Sequence, residues 1–366
     1  MHAMRFLKDA AKAYVDRSGV PFRQRLRMTR LGFTPESYAF FEFDRNDPRD
    51  YLPSRMLSPL MRLNGPALTA LLSNKVLFWQ AFRDELPIPR VLAVTANGYV
   101  KALDGSGVGS TGAVLERAAD GPLVLKPMLG QKGRRVRLLE REGGEIRLDG
   151  QTVDPAAAES AVVAADGTMV VEFVRQAEYA SRIFPGSANT VRAVIFGGAG
   201  TGYEPFVAAL LHRFGREQSV PVDNASAGGL AGRIDPASHQ LGPVATFLFG
   251  ANRNEWIAAH PDTGAPIVGV KVPRVGVVLE RLLEVMRSNP GLAYVGWDVV
   301  ITDDAPGFAV IEANHHAALQ SQRQGYPYLK DERVVRFLAH HDLLGRIPSR
   351  RDGAGTAAAG RRPDSS

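Results

Sequence analysis

The sequence predicts an α+β fold, and three observations carry that prediction. Apolar, β-branched runs recur along the 366 residues but cluster, instead of alternating strictly with helices, which disfavours a doubly wound parallel sheet. Hydrophobic residues make up 45% and charged residues 22%, the balance of a globular chain with room for two or three domains. No apolar run approaches the ~20 residues that span a bilayer, so no membrane span is expected. Arg5, Lys8, Lys12 and Arg17 are not followed by an apolar stretch, so no secretory signal is expected either. Cysteine is absent, which excludes thiol catalysis, disulfides and Cys-ligated zinc.

Taken in order, residues 5–31 read as helix with a break at Gly19-Val20-Pro21. Residues 32–66 are aromatic and turn-rich (Phe33, Tyr38, Phe40, Phe41, Phe43, Tyr51) and read as a lead segment wrapped on the main body. Ser73 is an expected N-cap; Val76, Leu77, Trp79, Gln80 and Phe82 follow on a helical face, and Pro87 stops it. Val91–Val94 reads as a short strand and Leu123–Pro127 as a buried one, bounded by Gly121-Pro122 and Pro127. The glycine loop Gly130-Gln131-Lys132-Gly133 leads into an expected strand over 135–139. Asp149-Gly150 between 145–148 and 151–153 is the strongest hairpin signal in the chain. Strands are predicted over 169–174, 191–196, 206–212, 294–301 and 308–313. A helix covers 277–287 and ends at Asn289-Pro290-Gly291, and a last helix runs from Asp331 to Gly345. The Gly/Ala/Ser-rich stretch 353–366 lacks any period and is expected to be disordered.

The formal charge is +6, but its distribution argues against a genome-reading groove. Residues 1–72 carry +5 and residues 346–366 carry +3, leaving −2 over 73–345. No nucleic-acid partner is expected, although the basic flanks suit an acidic partner or membrane lipid, or simply solvent.

Gly107-Val108-Gly109-Ser110-Thr111-Gly112 matches a dinucleotide fingerprint, but the expected strand before it and helix after it are not legible, so it reads as a flexible loop. The strongest chemical signal lies in the last two strands. Glu312 and Asn314 are two apart and face the same way on a strand. A turn centred on Ala305 puts Asp298 opposite Glu312, with all three side chains on one face; a one-residue slip breaks this. Two facing carboxylates and an amide oxygen call for a cation, and hard oxygen donors without His or Cys point to Mg²⁺, or Mn²⁺ as the alternative. A polar outer face on an edge hairpin fits the pattern equally well. Lys126 closes an apolar strand beside the glycine loop, where backbone N–H groups can approach phosphate. Lys75 opens a helix and offers a second cation. Glu172 and Val174 end a strand whose backbone could bond a purine edge. Arg192 sits inside an apolar strand and needs an anionic partner.

In this order, Lys75, Lys126 with its glycine loop, Glu172, Arg192, Asp298, Glu312 and Asn314 resemble the ATP-grasp superfamily over roughly residues 73–345. The chain looks closest to the sugar-transfer-associated ATP-grasp family. Ser73-Asn74-Lys75, Leu123–Pro127, Asn189–Arg192, Asn224 with Gly228-Gly229, His260-Pro261-Asp262-Thr263-Gly264 and Val295–Asp298 carry that likeness. One departure is His315-His316-Ala317, where related enzymes commonly have a proline-containing turn. The resemblance implies two α+β lobes gripping ATP: a lead segment over 1–72, a first lobe over 73–175, a second over 176–345 and a tail over 346–366. It implies a cytoplasmic, ATP-dependent ligase joining a small-molecule carboxylate to an amine through an acylphosphate, on a sugar, glycan precursor or secondary metabolite. Lys75, Lys126, Gly130, Gly133, Glu172 and Val174 would bind ATP; Asp298, Glu312 and Asn314 would hold the metal; Arg192 and Lys126 would be catalytic. Asn224, Gly228, Gly229 and His315 would face the acceptor substrate. Phosphoryl transfer to a non-carboxylate, or nucleotide binding without catalysis, are the rival readings.

Overall fold

The computed structural model describes residues 19–103, 105–130, 135–163, 167–224, 227–246, 255–317 and 319–348. Among them are two antiparallel sheets. The first contains β1 (Val91–Ala96), β2 (Tyr99–Ala102), β3 (Leu123–Pro127), β4 (Arg137–Glu142), β5 (Glu145–Leu148), β6 (Gln151–Val153) and β7 (Thr168–Glu172), in the order β2-β1-β7-β3-β4-β5-β6. The second contains β8 (Val191–Gly198), β9 (Tyr203–Phe214), β10 (Leu230–Ile234), β11 (Leu241–Thr246), β12 (Tyr294–Ile301) and β13 (Phe308–Asn314), in the order β11-β10-β9-β8-β12-β13. The helices that matter below are α1 (Phe22–Leu31), α2 (Gly65–Ser73), α3 (Lys75–Phe82), α4 (Thr111–Arg117), α5 (Pro155–Val163), α6 (Glu178–Ile183), α7 (Val275–Ser288) and α8 (Glu332–His340).

Each sheet needs its apolar face covered. On the first, Val114 and Leu115 of α4 and Ala158 and Val162 of α5 pack against Leu92, Leu123, Leu139 and Val170. On the second, Val278, Leu282, Val285 and Met286 recur at helical spacing along α7 and meet Val295, Trp297 and Val299. The other face of that sheet buries Phe196 and Tyr294 under Phe337 of α8 and under Leu52, Met56 and Leu60 of the lead segment. Coverage on both faces explains why every residue of β12 is buried.

Several sequence boundaries shift. Ser73 is the last residue of α2; the cap of α3 is Asn74, whose Oδ1 accepts from the N–H groups of Val76 at 3.0 Å and Leu77 at 3.2 Å. Helix α3 does not belong to the first sheet alone: Trp79 packs with Val91 and Met169, while Phe78 and Phe82 pack on Trp297. The strand expected from 135 starts at Arg137, and the one expected to reach 174 ends at Glu172. The fingerprint-like loop is not flexible throughout: β2 precedes it, and α4 opens at Thr111, capped by the Ser110 side chain, which accepts from Ala113 N at 3.1 Å. It still misses the Rossmann context, because β2 is an antiparallel edge strand. Residues 5–18 and the tail 353–366, read above as helix and as disorder, lie outside the described residues.

Candidate active site

A cavity of about 590 Å³ lies between the two sheets and is walled by residues of both. That size suits a nucleotide-scale ligand. The first sheet and its loops contribute Val124, Lys126, Gly130, Leu138, Glu172 and Val174; the second contributes Arg192, Leu211, Arg213, Ile311, Glu312 and Asn314.

The register of β12 and β13 decides the chemistry of one wall. At the turn end the pairs are Ile301↔Phe308 and Val299↔Val310, a register that would set Asp298 opposite Ile311. A bulge at Ile311 inserts one residue, so Asp298 pairs with Glu312 and Gly296 with Asn314. The expected constellation therefore forms, but through a bulge and not through a regular hairpin. The Asn314 amide donates to Asp298 Oδ2 at 3.2 Å and to Glu312 Oε1 at 3.0 Å.

The charges are arranged differently from the expectation. Arg192 lies directly across from Asp298 on the neighbouring strand β8. Its Nε and Nη2 donate to the two oxygens of Asp298 at 2.5 and 2.7 Å, the bidentate geometry of a guanidinium on a carboxylate. Arg213 Nη2 adds a third contact at 3.1 Å. Burial alone would raise the Asp298 carboxyl, but Arg192 and Arg213 hold it down at about 2. Arg192 is in turn raised above its ordinary range: burial opposes this, and Asp298 together with Glu312 and Asp223 outweighs burial. The cations in contact with Asp298 are thus arginines, partners that the sequence reading did not assign to it. Asp298 has no exposed surface and lies behind Arg192, whereas Glu312 and Asn314 face the cavity. Among the described residues no cluster of three His, Asp or Glu side chains forms a ready metal cage. Glu312 and Asn314 offer hard oxygen donors at the cavity wall and fit a cation such as Mg²⁺; Asp298 supplies its charge from one layer deeper.

Arg213 and Asp223 are site residues that the sequence reading missed. The strand expected to end at His212 continues to Phe214, which brings Arg213 to the cavity. Arg213 donates to Thr190 Oγ1 at 2.6 Å and lies 3.4 Å from Asp223, whose carboxylate also accepts from Thr190 N at 2.9 Å. Burial raises the Asp223 carboxyl, against the opposing pull of Arg213. The available signal was a second arginine in an apolar strand, the same one that singled out Arg192.

The two lysines come together from different elements. Lys75 is placed by α3, whose Phe78 and Phe82 rest on Trp297, the residue before Asp298. Its N–H donates to Met128 O at 2.9 Å, and its Nζ donates to Gly130 O at 2.9 Å and lies 3.7 Å from Glu312. Lys126 Nζ lies 3.5 Å from the carbonyl of the bulged Ile311. Burial lowers Lys126 to about 8, Glu312 opposes that and Lys75 adds to it. Gly130 has φ 117°, a backbone that side chains rarely adopt. Gly133 lies outside the described residues.

Glu172 and Val174 line the cavity as expected, but the Glu172 carboxylate already accepts from Arg117 Nη2 at 2.7 Å. Of the residues expected to face an acceptor, Asn224 lines the cavity and Gly228 and Gly229 do not. A Cβ on Gly228 would come within 2.2 Å of the Gln218 amide, and one on Gly229 within 2.5 Å of Asp223 O, so these glycines shape the loop that carries Asp223 and Asn224. His315 is corrected too: it turns to Ser73 Oγ at 3.1 Å, and its neighbour His316 is the one at the cavity, with Gln320, Ser321 and Phe40. His260 to Gly264 is a brace: Asp262 accepts from Arg216 Nη2 at 2.6 Å and from Glu217 N at 2.8 Å, and His260 stacks on Phe184 at 4.9 Å.

A sequence profile described as sugar-transfer associated ATP-grasp matches residues 58–330. Similar solved structures include a RimK domain ATP-grasp protein from Sphaerobacter thermophilus (16% identity, 74% of this chain, 69% of that one, TM-score 0.38). Two others are D-alanine–D-alanine ligases, from Bacillus anthracis (12% identity, 84% and 78% coverage, TM-score 0.40) and from Coxiella burnetii (11%, 82% and 68%, TM-score 0.40). No curated protein matches the chain. With a family match over three quarters of its length, and two antiparallel sheets holding a cationic cavity between them, the chain belongs to the sugar-transfer-associated ATP-grasp family and has an ATP-grasp fold.

Proposed function

We propose that the protein is an ADP-forming ligase that joins a small-molecule carboxylate to an amine. ATP-grasp proteins are mostly ATP-dependent carboxylate–amine ligases. One observation carries the reading for this chain: Lys75 from α3 and Lys126, Arg192 and Arg213 from the two sheets converge on one cavity with Glu312 and Asn314. In this reading 73–175 and 176–345 are the two lobes. The adenine lies against Val174 and the backbone at the end of β7, and Lys75, Lys126 and Gly130 bind the phosphates. Glu312 and Asn314, with Asp298 behind them, would hold Mg²⁺, which shields phosphate charge when bound.

A substrate carboxylate oxygen attacks the γ-phosphorus; the bond to the β,γ-bridging oxygen breaks and ADP leaves. The amine nitrogen then attacks the acylphosphate carbon, the C–O bond to phosphate breaks, and the nitrogen loses a proton. Arg192 is aimed and kept charged by Asp298, so it is preorganised for the oxyanion of that second step. Arg213, Asn224 and His316 face the acceptor end, and Phe40 of the lead segment closes it. Both lobes shield the acylphosphate from water. The test is ADP release over a matrix of carboxylates and amines. A ligase releases ADP at full rate only when both are present; release driven by an alcohol, or with no dependence on a second substrate, overturns the reading.

A further inference from the structure

A second cavity, of about 400 Å³, opens on the lead segment and shares no lining residue with the first; Arg23, Leu26, Arg27, Arg30, Leu31 and Arg49 line it. The helical residues among these are spaced i, i+3, i+4, i+7 and i+8, one face of α1. The opposite face buries Met28 against Phe33, Phe40, Phe41 and Phe43, so the arginine face must point outward. Phe22, in the first turn, is 46% exposed. Among the described residues Arg23, Arg27 and Arg49 make no ion pair. Eight Lys and Arg against two Asp stand in residues 1–31, so this segment holds the whole +6 of the chain and the remaining residues sum to zero.

We propose that this face docks the protein on an anionic lipid surface. Guanidinium groups suit the phosphates of lipid headgroups. Phe22 and Leu26 lie among the arginines, where apolar side chains enter the boundary between headgroups and acyl chains, while Leu31 packs on the aromatic cluster beneath. A nucleic-acid duplex would leave those apolar groups unused, and the neutral body offers no continuation of a basic track. The inference is independent of the ligase reading, because no residue of this face lies in the ATP cavity. It also gives the lead segment two ends: α1 outside, and Phe40 at the substrate cavity.

The experiment is co-sedimentation of the full chain with vesicles of phosphatidylcholine alone or mixed equally with phosphatidylglycerol. Binding is expected to the mixed vesicles only, and to fall steeply between low and high salt. The triple variant Arg23→Gln, Arg27→Gln, Arg49→Gln should lose on the order of 100-fold in partitioning. It should keep the thermal shift given by Mg·ATP, which shows that it is folded. Phe22→Ser should weaken vesicle binding several-fold and leave heparin binding unchanged. Equal binding to neutral vesicles, no binding to mixed ones, unchanged affinity in the triple variant, or binding to heparin without binding to vesicles would each overturn the proposal.

Discussion

Asp298 is a carboxylate without exposed surface that stays ionised because two arginines hold it, and its removal should be costly. Repulsion between two facing carboxylates, taken alone, would leave Asp298→Asn as stable as wild type without ligand. The arginine contacts reverse that expectation. Breaking a buried ion pair on one side typically costs ~3–5 kcal/mol, so the urea midpoint should fall sharply even without ligand. The pH dependence has a definite sign. The folded carboxyl is depressed to about 2, so its contribution is complete above the unfolded value near ~3.9 and fades as pH falls from there toward 2. The Asn variant should lack that part of the acid transition. Lys126 has the opposite character. Burial lowers it to about 8, so the folded protein sheds this proton before the unfolded chain does, and stability from this group rises as pH climbs from 8 toward ~10.4. Lys126→Met should therefore raise the melting temperature of the ligand-free protein at pH 7, with the gain shrinking as pH climbs from about 8 and gone above ~10.4. The same variant should bind Mg·ATP about 10–150-fold more weakly, from the loss of a charge-assisted contact of ~1.5–3 kcal/mol. Calorimetric affinity equal to wild type would remove Lys126 from the phosphate site.

At the scale of elements, the hairpin β12–β13 aims the site and the packing around it sets the aim. Gly296 faces Ala317, and a Cβ there would stand 3.0 Å from the Ala317 Cβ and 3.5 Å from Arg192 Cδ. Gly296→Ala should cost ~1–3 kcal/mol by overpacking and displace Ala317, the neighbour of His316 at the cavity. The expected result is a lower urea midpoint together with a loss of turnover larger than the loss of ATP affinity. Equal losses in both would show that the strand merely unfolds. The bulge at Ile311 does the complementary work: it restores the pairing of Asp298 with Glu312 and turns a carbonyl toward Lys126 from the other sheet.

At the scale of the whole molecule, the lead segment is part of the core. Asn64 is buried; its Nδ2 donates to Tyr294 O at 2.8 Å, and its Oδ1 accepts from the N–H groups of Ala293 at 2.8 Å and Tyr294 at 3.0 Å. Gln322 brackets Leu52 in the same way, accepting from its N–H at 2.7 Å and donating to its carbonyl at 3.0 Å. Asn64→Ala strands buried backbone groups of β12, each worth ~1–3 kcal/mol, and should lower the melting temperature by several degrees. Asn64→Asp should be worse, since an ionised carboxylate cannot donate to Tyr294 O. A variant with wild-type stability would show that the lead segment is only draped over the body.

Much of this site was legible because its signals are local. The two-residue spacing of Glu312 and Asn314, the lysine closing Leu123–Pro127, the cap region before Lys75 and the Asp149-Gly150 hairpin each depend on neighbours in the chain. The strands missed, β2, β10 and β11, are short edge or near-edge strands with weak alternation, and α4 to α6 are short helices that packing stabilises more than sequence does. Only the tertiary structure decided which cation meets Asp298, that Arg213 and Asp223 join it, and that His316 and not His315 reaches the cavity. The reason is sequence separation. Arg192 and Asp298 stand 106 residues apart, and their contact depends on two strands becoming neighbours in a sheet. No periodicity within either strand encodes that pairing, nor the single inserted residue that turns Glu312 to face Asp298.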